Sequence, residues 1–571
     1  MKDSIKKILP DRGFHWILLV ALSLTCGTLY GLSSNVVEGG GSFTVSAWLL
    51  PLICLFESVP FLCVFVCLDA LYLVAETRFS LRRGKESGDS DPCLEGSGMG
   101  RWGIRARSVA VRALMLLVFW LPWLVALYPG SMNWDTYYQI TQCYLGEYPV
   151  WLVPYAPTDS LVDAWFSDHH PLFDTLLYGA FARVSDVLFG TWNYGVFLYV
   201  LVQSFFLAFS LVYFLAYVRS VWGVRRSHIL ILFCFFALFP LYPAYAGSMM
   251  KDSTNLIPLL FWLICVAEIA RSKGSCLNSK RFLVFMVLMG VLVALTKKTG
   301  LYVVVLTLLI LVFFYRKKAA PLLAGAFAPA VIVSLLIPSL VFPALNVVPG
   351  GRQEMLGPLF QQTARYVLDH PDEVSSEDMR IIDDVLDYET LASRYDYWCS
   401  DPVKFMYNQD AEGRSLGAYL KVWAFQGLNH PTSYLEATFS TVGSFYADGS
   451  LSPLWDTGDA AHSGSDLLHK PEGIAMIRDF FRAVYDGVSS MPIVNILFLS
   501  SFWTLVLPGG VVYIALRRGR EELLPVLLPT LIFVGFCLIS PVYDTRYILP
   551  VLAAMPMTIL LLFSNAARRR S

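Results

Sequence analysis

Twelve apolar stretches run through this chain, and their length leaves few folds open to it. They fall at roughly 14–32, 46–74, 108–128, 192–217, 228–246, 254–271, 282–296, 300–315, 320–344, 491–516, 522–540 and 546–565. A helix needs about 20 apolar residues to cross the hydrocarbon of a bilayer, where each backbone polar group must find its partner within the segment. The expected fold is an all-α polytopic membrane protein with twelve such segments. Several runs are short, as happens where helices break beside a substrate cavity. Only 15% of residues are charged, against about a quarter in a soluble protein.

Charge sorting predicts the orientation. The loops 1–13, 75–107, 218–228, 271–281, 316–318, 517–520 and 566–571 hold 27 Lys/Arg, while the alternate loops 33–44, 128–191, 247–253, 297–299 and 541–547 hold five. Basic loops stay inside, so both termini are expected in the cytoplasm of a cell-membrane protein. The opening MKDSIKKILPDRG and the run after it resemble a signal peptide, but the run is long enough to span and reads as an uncleaved first helix.

Four regions follow. Residues 1–107 carry two membrane helices and a basic linker, flexible over 87–100, and 108–344 form a membrane core with a first outer loop at 128–191. Residues 345–490 form an α-rich extracytoplasmic insertion, with 22 Asp/Glu against 10 Lys/Arg, and 491–571 return to the membrane. Within the insertion, 444–466 reads as a loop rich in turn formers. No internal repeat is evident. The segment 171–190 has helical apolar spacing but carries Asp174, Arg183 and Asp186, so it reads as an interfacial helix lying on the membrane. No basic face with interleaved aromatics points to nucleic acid. Most of the eleven cysteines lie in apolar runs; Cys143 and Cys399 fall outside them, which leaves one disulfide open.

The first outer loop holds PGSMNWDTYYQ (129–139) and SDHHPLFDTLL (167–177), with seven acids against one arginine. Ionisable groups beside a membrane are costly and mark function. If 134–146 is helical, Asp135, Tyr138 and Gln139 share a face. Asp135 can act as a general base toward a hydroxyl or can cap its helix. Asp168 and His169 offer oxygen and nitrogen ligands to a divalent metal, or with His170 they orient the helix opening at Pro171. Tyr138, Gln139, Asp168, His169 and His170 are the candidate substrate-binding residues. The loop's aromatics, Tyr148, Trp151 and Tyr155 among them, read as an interfacial belt or as sugar-stacking surfaces. His370 and His430, each before a proline, read as turn residues, with His430 a candidate to approach the cavity.

Basic residues on the outer side are conspicuous. Lys251, Lys297, Lys298 and Arg546 all fall on the predicted face of Asp135. Such cations suit a phosphate that leaves with developing negative charge. The competing reading pairs Lys251 with Asp252 and Arg546 with Asp544, and lets the lysines snorkel to headgroups.

Asp135 followed by the spaced HHPLFDTLL resembles the first outer loop of GT-C-type membrane glycosyltransferases, in particular the protein O-mannosyltransferase branch. Asp135 matches the first acid of that branch's acidic pair, and His170-Pro171-Leu172 the core of its second motif; Thr136 stands where the second acid would be. The chain also resembles an uncharacterised bacterial family of GT-C-like multi-pass proteins through WDTYYQ, DHHP, MMKDS, NHPTSYLEATFSTVGSFY (429–446) and PVYDTRYILPV (541–551). The resemblance implies a GT-C-like core from about 108 onward. It also implies a sugar donor linked to polyprenyl phosphate, an acceptor hydroxyl on a cell-envelope glycan or glycolipid, Asp135 as base, and inversion at the anomeric carbon. A divalent metal is a candidate cofactor. A transporter or flippase of a lipid-linked glycan, and a glycan polymerase or ligase, remain the alternatives.

Overall fold

A computed structural model describes residues 13–81, 104–145, 165–411, 413–455 and 467–564. Tyr148, Trp151, Tyr155, the linker 87–100 and 456–466 of the turn-rich loop lie outside the described residues.

Each of the twelve apolar segments holds helix. In chain order the first elements are α1 (Gly13–Glu38), α2 (Leu50–Leu81), α3 (Ala106–Ala126), α4 (Trp134–Leu145), α5 (Leu172–Phe189), α6 (Asn193–Trp222) and α7 (Arg226–Leu238). Next come α8 (Lys251–Arg271), α9 (Lys280–Thr296), α10 (Lys298–Phe314) and α11 (Ala319–Val331). Among the described residues, seven helical stretches are long and apolar enough to cross a membrane: Gly13–Glu38, Ala47–Thr77, Ala106–Ala126, Asn193–Trp222, Lys251–Arg271, Arg316–Ala344 and Glu521–Ile539. Arg226–Leu238, Lys298–Phe314, Phe502–Arg517 and Leu549–Leu562 are apolar but shorter. The protein is an all-α membrane protein. The expected run 228–246 is broken, because Phe239 precedes Pro240 and takes an extended conformation that proline imposes on its neighbour. A separate turn of helix, Leu241–Ala246, follows. Over Ile332–Val341 the helix widens to π geometry around Pro338, which has no N–H to donate.

The longer helices that follow are α12 (Gln353–Asp369), α13 (Gly413–Asn429), α14 (Pro431–Val442), α15 (Glu472–Ser489), α16 (Leu507–Arg517), α17 (Leu524–Phe536) and α18 (Leu549–Leu562). One core runs through the membrane helices, with α8 at its centre packed on α6, α9, α17 and α18. Basic residues gather at one end: Lys318 reaches Asn278, Arg517 and Arg518 grip Asp69, and Arg520 bonds the carbonyls of Leu561 and Leu562.

The expected insertion 345–490 is not one unit. Residues between Phe360 and Tyr434 build a core of their own around Tyr366, Ile382, Leu391 and Tyr419. From Val442 onward the chain joins the main core through Phe445, Tyr446, Leu451 and Tyr485, and α15 packs on α3. The first unit is tied down by Arg365, which bonds Glu436 and the carbonyl of Gly41, while Glu436 accepts the N–H of Phe43 at 2.7 Å.

α5 is not among the seven long apolar helices. It buries Asp174, Thr175, Tyr178, Gly179 and Ala182 and exposes Val184, Val187, Leu188 and Phe189, a two-faced pattern. The Cys143–Cys399 disulfide does not form. Both thiols are free, Cys143 lying against the backbone of Gly179 and Cys399 bridging to Val542.

Candidate functional site

Two turns with the same three residues build the site. Gly130-Ser131-Met132 follows α3, and Gly247-Ser248-Met249 precedes α8. They lie side by side in parallel: the N–H of Ser131 donates to Gly247 O at 3.1 Å, the N–H of Met249 to Ser131 O at 2.8 Å, and the two hydroxyls meet at 2.6 Å. Gly130 has φ +138°, and a Cβ there would fall 2.7 Å from Val200, so only glycine fits. Each turn opens a helix with an acid near its start, Asp135 in α4 and Asp252 in α8. This twin was readable as GSMNWD and GSMMKD, but three shared residues fall below what a repeat search would notice.

Of the two roles open to Asp135, the capping one is filled by Asn133. The Asn133 Oδ1 accepts from the Thr136 N–H at 3.2 Å and from its hydroxyl at 3.1 Å, which satisfies the helix start. Asp135 is thereby released to face the start of α8 and the turn Thr545–Tyr547 just before α18. One of its oxygens, Oδ2, lies 2.8 Å from Lys251 Nζ and 2.8 Å from Arg546 Nη1. Of the competing ion pairs, Lys251–Asp252 gives way to Lys251–Asp135, whereas Arg546 does also meet Asp544, at 3.2 Å. His170 completes the group, with Nδ1 3.0 Å from Lys251 Nζ and Nε2 3.7 Å from Asp135 Oδ1.

Charge follows from this geometry. Burial alone would raise the Asp135 carboxyl, but Lys251 and then Arg546 outweigh it and hold it well below the ordinary range. Burial, with Lys251 adding to it, keeps His170 neutral by lowering its value well below that of a free imidazole. A neutral ring accepts from Lys251 through Nδ1 and leaves Nε2–H toward Asp135.

Asp174, one turn past Pro171, was given no role by the sequence, yet it is fully buried and both its carboxylate oxygens lack a hydrogen-bond partner. Burial pushes it well above the ordinary range, only partly offset by Lys251. It is therefore a neutral acid in the folded protein, and its contribution to stability is complete below about 3.9 and falls as pH rises toward its folded value. The stability difference between Asp174→Asn and wild type should thus move in the variant's favour as pH rises from about 5 to about 8. Thermal unfolding in detergent at several pH values checks this; a difference independent of pH would mean that Asp174 is ionised in the fold.

The other expected site residues are gathered less tightly. Lys297, at the break between α9 and α10, is buried and locked in an ion pair with Asp252. It lies 5.4 Å from the Tyr547 ring centre, on which Arg546 also packs at 5.1 Å. Its partner inside the bundle is thus Asp252. Lys298 is exposed and pairs with Asp168 at 3.1 Å. Asp168 is held by a short parallel pairing of β1 (Phe166–Ser167) with β2 (Val347–Val348). Gln139 is buried and donates to Thr175 at 3.1 Å, so it joins α4 to α5. Tyr138 stacks on Trp134 at 5.8 Å, and Trp134 is half exposed.

Asp168 and His169 do not fit a divalent metal. The Asp168 carboxylate is engaged by Lys298, and among the described residues no third ligand gathers with the pair. Burial and then Lys404, Lys251 and Lys298 all lower the proton affinity of His169, and the same cations would repel a metal ion. His430 does not approach this site; its ring meets Glu373 and Tyr366.

The arrangement is one carboxylate shared by two cations, with a neutral imidazole alongside. It can exchange an anionic oxygen for Asp135 and can take a proton on Asp135 once that exchange occurs. No curated protein and no solved structure matches the chain. A family model described as a family of unknown function, DUF6020, matches residues 12–571, and the chain belongs to that family.

Proposed function

We propose that the protein is a GT-C-like glycosyltransferase of the cell membrane, with both termini cytoplasmic and the Asp135 site on the outer side. It moves a sugar from polyprenyl phosphate to an acceptor hydroxyl of a cell-envelope glycan or glycolipid. The observation that carries this reading is the bridging of Lys251 and Arg546 by one oxygen of Asp135. That oxygen occupies a place suited to a phosphate oxygen, which would gain paired hydrogen bonds from Arg and a compact charge from Lys.

As it stands, Asp135 is a weak base. When the donor phosphate takes both cations, the carboxylate loses the partners that depress its proton affinity and becomes competent to accept a proton. The acceptor oxygen then bonds to the anomeric carbon, its proton passes to Asp135, and the bond from that carbon to the phosphate oxygen breaks. The lipid phosphate departs carrying the negative charge, held by Lys251 and Arg546. Direct attack inverts the anomeric centre. Trp134 and Tyr138, stacked beside Asp135, give a flat apolar face for a sugar ring.

Membranes containing wild type or Arg546→Met, supplied with radiolabelled polyprenyl-phosphate sugars and envelope extract, test the reading. Label should reach an acceptor with wild type and fall by about 10²-fold or more with the variant at equal expression. If no donor gives transfer and lipid-linked sugar instead crosses the bilayer of reconstituted vesicles, the transporter reading replaces this one.

A further inference from the structure

Two turns of the same build face each other in the unit between Gln353 and Tyr434. α12 ends at His370 and α13 ends just before His430. Each histidine N–H donates at 2.9 Å to the carbonyl four residues back, on Tyr366 and Gln426, and each histidine is followed by a proline that opens the next helix. Their backbones match, with φ/ψ of −132°/52° and −128°/64°. The two imidazoles come within 3.9 Å, centre to centre. Glu373 lies between them, its Oε1 3.5 Å from His370 Nδ1 and its Oε2 2.8 Å from His430 Nε2.

We propose that His370 Nδ1, His430 Nε2 and the Glu373 carboxylate bind a zinc-type divalent transition-metal ion, with the fourth position open to solvent. The donor set of two imidazoles and one carboxylate suits zinc. Ligand atoms all lie within 4.8 Å of one another, and zinc bonds of about 2.0–2.1 Å place tetrahedral ligands about 3.3 Å apart. The spacings of 2.8 and 3.5 Å straddle that value, so small side-chain rotations suffice. The far nitrogen of His370 lies 3.2 Å from the Ser433 hydroxyl, the outer contact that orients metal-bound histidines. Tyr366 packs against both rings, at 5.3 and 5.5 Å. A metal here would pin the end of α12 to the start of α14. α14 carries Glu436, which with Arg365 holds this unit to the turn at Gly41–Phe43.

The test uses full-length protein in detergent, stripped with chelator and titrated with Zn²⁺ alone. Wild type should retain one equivalent by mass spectrometry after free metal is removed, and so should His169→Ala. His370→Ala and His430→Gln should lose it. Ser433→Ala, which leaves all three ligands in place, should weaken binding by about 10–100-fold. Co²⁺ should give the absorption of a four-coordinate site in wild type that the two histidine variants lack. No retained zinc in wild type, or equal retention in His370→Ala, would overturn the assignment, as would a Ser433→Ala variant with unchanged affinity.

Discussion

Asp135→Asn is expected to lower sugar transfer by about 10²–10⁴-fold, the usual worth of a positioned base, while binding polyprenyl phosphate more tightly than wild type. Both effects come from one atom. In the resting protein Asp135 Oδ2 satisfies Lys251 and Arg546 at 2.8 Å each, so an incoming phosphate must displace it. The amide keeps the shape but neither competes for the cations nor accepts the proton. Transfer from radiolabelled donor and retention of labelled polyprenyl phosphate, measured on the same preparations, separate the two effects. Unchanged transfer would remove Asp135 from the chemistry. Lost transfer with weakened lipid binding would make it a structural anchor for the cations.

Lys297→Met is expected to destabilise the protein by about 3–5 kcal/mol, because it strands the Asp252 charge inside the bundle. Asp252 is buried, its second carboxylate oxygen has no hydrogen-bond partner, and Lys297 is its ion-pair partner. Asp252→Asn combined with Lys297→Met should recover most of the loss, since removing both charges also removes their desolvation cost. Thermal or denaturant unfolding of the three variants in detergent measures this. A Lys297→Met protein of normal stability that fails to bind polyprenyl phosphate would return Lys297 to the ligand.

The membrane fold was largely legible because apolar runs report directly on burial in lipid, and all twelve runs became helix. Their interruptions were less visible. The break at Phe239-Pro240 was signalled by the proline, whereas Pro338 marked a disturbance in its run without telling that the helix would widen to π geometry rather than break. In the site, charge sorting singled out Lys251, Lys297, Lys298 and Arg546, because basic residues on the minority face are few, while Asp135 stood out by its place just beyond a membrane helix. Charge sorting could not say which acid each cation would choose. Lys251 passes over its neighbour Asp252, since adjacent positions on a helix point apart, and reaches across to α4 instead. Gln139 and Asp174 were obscured for a related reason: both are polar, and the sequence does not tell a side chain turned toward a cavity from one closed between two helices. Within 345–490 the sequence did not show that Phe445 and Tyr446 enter the main core, because the surrounding stretch is polar enough to read as a loop.

The hydroxyl contact between Ser131 and Ser248 works as a ruler for the charged cluster. From that fixed mark the chain counts four residues to the acid of one helix and three to the lysine of the other. An α-helix turns about 100° and climbs about 1.5 Å with each residue. One residue more or less on either arm would therefore swing its charged group to a different face, away from its partner. Substitutions at Met132, Asn133 or Met249 change the local chemistry yet keep the count, whereas a single insertion or deletion there dismantles the cluster without touching any of its members.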